Sequence, residues 1–166
     1  MALSTKRAKV ADSVAGPSAE QQLASFLRKF TVEVASLAES ILATMRALYP
    51  TANLLVYDNY NALAIGFAPG ERTSHGIFSI AVFPKWVSLF FLQARGLPDP
   101  DGILKGDGSV ARHIRLPSAA KLDELPVRTL MQEATARAVI PFAAKGNSRL
   151  IIKSISAKQR PRRPAK

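Results

Sequence analysis

The chain has 166 residues, 48% of them hydrophobic, which suits one domain with a sizeable core that needs no disulfide or metal. It has no cysteine, which excludes thiol catalysis, disulfide frameworks, thiolate zinc sites and iron–sulfur clusters together. The net charge of +11 is uneven: three bases face one acid up to Asp12, 12 face 11 from Ser13 to Ala144, and eight face none from Lys145 onward.

The opening stretch, MALSTKRAKVADSVAG, has no apolar core of the secretory kind, and no apolar run approaches the ~18 residues of a membrane span. A cytoplasmic protein with no membrane partner is expected, with residues 1–17 as a flexible polar arm. Ser18 and Gln21 then form a capping-box pattern. Apolar residues recur at Leu23, Phe26, Phe30, Val34, Leu37, Ile41, Met45 and Leu48, the helical period, up to Tyr49-Pro50. About thirty residues is long for one globular helix, so a break is predicted near Lys29–Thr31, with Thr31 as a second cap.

Four extended runs follow at 54–57, 62–68, 77–83 and 86–92, rich in branched and aromatic residues and separated by turn chemistry. Short connections predict an antiparallel meander. Alternation assigns Leu54, Val56, Leu63, Ile65, Phe67, Phe78, Ile80, Val82, Val87, Leu89 and Phe91 to one face, under the helices. The other face collects Tyr57, Phe83, Trp86 and Phe90 around the small Ala62, Ala64 and Gly66. Pro84 rules out a primed turn in the last hairpin, which leaves its register open.

Residues 93–111 form a long Gly/Pro/Asp-rich connection, and RHIRL after it reads as a fifth strand with Ile114 and Leu116 inward and His113 and Arg115 outward. Asp123 precedes a second helical stretch with Val127, Leu130, Ala134 and Ala138 inward, and SRLIIKSIS offers a last edge strand. The fold class is therefore α+β: an antiparallel meander sheet of about five strands with N-terminal and C-terminal helices packed on one face. It forms a single domain over 18–156 with a basic tail at 157–166, and deletion of Ser156–Lys166 is expected to leave the fold intact.

The stretches YDNYNALAIGF, WVSLFFLQARGLPDPDGILKGDGSVARHIRL, LDELPVRTLMQEA and IKSISAKQRPRR together resemble the YdhG-like bacterial family of domains of unknown function. The resemblance covers most of residues 20–163 and implies a small α/β domain with helices on an antiparallel sheet. A frataxin-like iron-chaperone role belongs to part of that family. Such a role needs clustered carboxylates as hard oxygen ligands, whereas the 12 acids here are scattered.

Gly106-Asp107-Gly108-Ser109-Val110-Ala111 has the letters of a dinucleotide fingerprint, but it leads into a strand and lacks a βαβ unit. No Gly-Lys-Ser/Thr makes it a Walker loop, and DPDG at 99–102 lacks the closing glutamate of a calcium loop. Ser74, His75 and Asp58 have triad residue types without a nucleophile elbow. No catalytic residue, metal ligand or cofactor is assigned.

Two binding sites remain. Backbone donors of Gly106, Gly108 and Ser109 with Arg112, His113 and Arg115 would hold a small anion. Tyr57, Tyr60, Phe83, Trp86 and Phe90 would line an apolar sheet-face cleft or a homodimer surface. A sheet-face RNA platform interleaves bases with rings, and along the four strands only Lys85, in a turn, is basic. The reading is thus a non-enzymatic module for a small anionic ligand or a protein partner. The alternatives are iron handling and weak, non-specific nucleic-acid binding through the basic tail.

Overall fold

Ser18 opens the first helix as its pattern predicts. Its hydroxyl accepts from the Gln21 N–H at 3.1 Å, and the Gln21 side chain accepts from the Ser18 N–H at 2.8 Å. The computed structural model describes residues 16–165, so the arm expected over 1–17 lies outside the described residues up to residue 15. Helix α1 (Ala19–Leu27) stops at Arg28, and α2 (Val32–Leu48) restarts from Thr31, whose hydroxyl accepts from the Val34 N–H. Each side-chain cap contributes about 1 kcal/mol. The predicted break is therefore present, and Phe30, which lies between the two helices in sequence, is buried in the core.

The strands are β1 (Asn53–Asp58), β2 (Leu63–Ala68), β3 (Phe78–Val82), β4 (Val87–Phe91), β5 (Arg112–Arg115) and β6 (Leu150–Ile155). They form one sheet in the order β5-β4-β3-β2-β1-β6. The first five make the predicted antiparallel meander. The sixth departs from expectation: it joins β1 in parallel, with a register shift between Val56 and Tyr57. The sheet is therefore six-stranded and mixed, and β1 is an interior strand.

Pro84 and Lys85 turn without a positive φ, and the Phe83 N–H bonds the Trp86 carbonyl at 2.9 Å. Val82 consequently pairs with Val87 in the simple register.

All eleven residues assigned to the inner face lie in the core, with Leu23, Phe26, Ile41 and Met45 from α1 and α2. Helix α3 (Leu125–Ala136) adds Val127, Leu130, Met131 and Ala134. A short 3-10 helix, Ala119–Asp123, comes first, Pro126 sits in the first turn of α3, and Asp123 pairs with Arg128 at 2.6 Å.

Alternation along β1 carries one carboxylate inward: Asp58 follows Leu54 and Val56 and is fully buried. A buried carboxylate requires charged partners. Lys29, in the turn between α1 and α2, reaches it at 2.7 Å, and Arg162 at 2.9 Å. Arg162 is itself only 5% exposed, lies over the Phe30 ring, and donates to the Tyr60 and Asn59 carbonyls. Burial pushes the Asp58 pKa up. Hydrogen bonding by the Lys29, Gln159 and Arg162 side chains and the Lys29 charge outweigh this and hold it below the ordinary carboxylate value. Residues 157–165 are accordingly not a pendant tail. They are clasped to the domain through Arg162.

Candidate functional site

The glycine-rich loop is shaped by its own backbone. Lys105 and His113 exchange backbone hydrogen bonds of 2.8 and 3.0 Å, which folds the loop back along β5. Gly106 has φ +107°, and a Cβ there would sit 3.2 Å from His113 Nδ1. At Gly108 a Cβ would meet the Ala111 carbonyl oxygen at 2.7 Å. Both glycines are thus accounted for by the chain's path. Ser109 is exposed, and the Arg112 guanidinium donates to the Gly106 carbonyl. Asp99 accepts from the Ile103 and Leu104 N–H groups at 3.0 Å each, so it serves the loop.

His113 and Arg115 do share the outer face of the sheet, each against a ring of β4 or its preceding turn. The His113 imidazole stacks on Phe90 with centroids 4.9 Å apart, and the Arg115 guanidinium lies 4.5 Å from the Trp86 ring centre. The expected convergence of Gly106, Gly108, Ser109, Arg112, His113 and Arg115 on one anion is replaced by these separate contacts.

The predicted aromatic cleft divides in the same way. Tyr57 bonds Thr73 through their hydroxyls and lines a small cavity of about 230 Å³ over Leu55, Gly66 and Ser79. Phe83 and Trp86 stack at 4.9 Å and 22° and line a separate, larger groove of about 730 Å³.

The opposite wall of that groove comes from the C-terminal segment. Arg162 points inward to Asp58, and its neighbours Arg160 and Arg163 are left at the groove. The Arg160 N–H bonds the Tyr60 carbonyl at 2.8 Å, and its guanidinium lies over the Tyr60 ring at 5.5 Å. Arg163 donates to the Arg28 and Lys29 carbonyls at 3.4 and 3.3 Å, the C-terminal end of α1. Lys85 and Asn61 complete the polar lining, which among the described residues holds no Asp or Glu side chain. Among the described residues, none of Lys85, Arg115, Arg160 and Arg163 forms a salt bridge.

Asn61, Arg160 and Arg163 were not among the residues singled out from the sequence. The tail's positive charge is legible there, but not that Arg162 would anchor it and turn its neighbours toward Trp86. The signal was Asp58, a carboxylate on an inward parity that demands a distant cation.

Asp58 is committed to Lys29 and Arg162, so it cannot serve Ser74 and His75 as a third triad member. Among the described residues, no three His, Asp or Glu side chains gather as a metal site, and no helix is long and apolar enough to cross a membrane. No family model, curated protein or solved structure matches this chain.

Proposed function

We propose that the protein is a non-catalytic binding module whose ligand is an anion carrying a flat ring, held in the groove between the Phe83–Trp86 stack and the C-terminal arginines. One observation carries this reading: three cations that form no salt bridge among the described residues, Lys85, Arg160 and Arg163, line the same groove as a stacked aromatic pair. Guanidinium groups bind phosphate and carboxylate through charged hydrogen bonds, and rings take the faces of other rings. The volume of about 730 Å³ lies within the usual range for small-ligand sites. A YdhG-like, cytoplasmic module is part of the same proposal.

The chain's single tryptophan is Trp86, so its fluorescence reports this groove directly. Titration with uridine monophosphate is expected to change the signal. Uridine, which lacks the phosphate, should bind roughly tenfold or more weakly, as loss of a charged hydrogen bond implies. Arg160→Ala and Arg163→Ala should each weaken the nucleotide. No response to the nucleotide, or an unchanged response in the double variant, overturns the reading.

A further inference from the structure

We infer that the ligand is single-stranded nucleic acid, which enters at the groove and continues along the β4–β5 edge of the outer sheet face. This rests on the groove being an anion site and extends it to a second contact region. The outer face carries two ring pairs, Phe83–Trp86 and Phe90–His113. Trp86 and Phe90 are four residues apart, about 13 Å along an extended strand, which one mononucleotide does not span.

Cations alternate with these pairs. Arg160 and Arg163 stand at the groove. Arg115 pairs in register with Ser88 on β4 and carries its guanidinium over the Trp86 ring, on the side toward β5. Lys105 lies directly opposite His113 in the antiparallel bridge and so shares its face. The strands themselves are poor in bases, as the sequence says, but β5 and the C-terminal segment bring cations to the rings in three dimensions.

Ring faces stack on unpaired bases, and in a duplex those faces are already occupied, so a single strand is the form that uses both ring pairs. Residues 16–165 hold 19 bases and 11 acids, a net +8 complementary to such a polymer. Binding by stacking and phosphate contact tolerates any sequence and weakens as salt rises.

The test is fluorescence anisotropy of a labelled oligouridylate of about twelve nucleotides, beside uridine monophosphate and a duplex of equal length. The oligonucleotide should bind at least roughly tenfold more tightly than the mononucleotide, because its second contact is intramolecular. His113→Ala and, separately, Lys105→Glu should weaken the oligonucleotide several-fold and leave the mononucleotide unchanged. Arg160→Ala should weaken both. A mononucleotide that binds while the oligonucleotide gains nothing, or is indifferent to both edge variants, overturns the inference and leaves the groove standing. A duplex bound as tightly as the single strand also overturns it. If neither nucleotide nor oligonucleotide binds, the groove reading falls first.

Discussion

Arg162 reaches across 104 positions of sequence to Asp58, Nη2 to Oδ1 2.9 Å, with both side chains withdrawn from solvent. The pair joins the end of β1 to the segment that walls the groove, and Lys29 joins it to the turn between α1 and α2. Fold and candidate site therefore share one electrostatic tie.

Asp58→Ala leaves Arg162 buried without its counter-charge. Breaking a buried pair from one side costs about 3–5 kcal/mol, which urea unfolding measures. Adding Arg162→Met to Asp58→Ala should recover part of that loss, because the orphaned charge is removed with its partner. A double variant less stable than the single one would show that Arg162 acts mainly by packing on Phe30.

The same pair sets a pH dependence. The Asp58 pKa is lowered from its ordinary value of 3.8 on folding. Its stabilisation is then fully present above the unfolded value and is lost as pH falls below it, through the lower folded value. Thermal melts between neutral pH and pH ~3 should show a fall that is shallower in Asp58→Asn, which starts lower and has no carboxylate to protonate.

Truncation before Arg160 should destabilise the protein about as much as Arg162→Ala does. Arg160→Ala and Arg163→Ala, exposed at the groove, should each stay within about 0.5 kcal/mol of the parent. Differential scanning calorimetry on the four proteins separates an anchored segment from a dispensable one.

Gly106→Ala forces a left-handed backbone on an L residue and presses on His113. About 1–3 kcal/mol of local strain is expected, read as faster hydrogen exchange at the Lys105 and His113 amides. Gly108→Ala, against a backbone carbonyl 2.7 Å away, should loosen the same loop.

Much of this is legible in the sequence alone. The Ser18 and Thr31 caps, the break between them and the eleven inward positions of β1 to β4 follow from local periodicity, which short connections preserve. The direction of β6 did not follow. Nothing in SRLIIKSIS distinguishes a parallel from an antiparallel neighbour, since both bury Leu150 and Ile152 part-way. The site divided along the same line. The outward parity of Trp86, Phe90, His113 and Arg115 is a property of neighbours in sequence. The meeting of Trp86 with Arg160 and Arg163 depends on a contact between Asp58 and Arg162, two residues that no local pattern connects.

The parallel strand has a consequence for synthesis on the ribosome. Strands β1 to β5 can pair as they emerge, each with its predecessor, but β1 waits with one edge open until residues 150–155 are made. Over that interval about ninety residues of nascent chain carry an unpaired interior strand, a template for pairing with other chains. Asp58, at the end of that strand, waits likewise for Arg162. Lys29, made before Asp58, can offset its charge early, so what Arg162 adds on arrival is the second cation that closes the strand end.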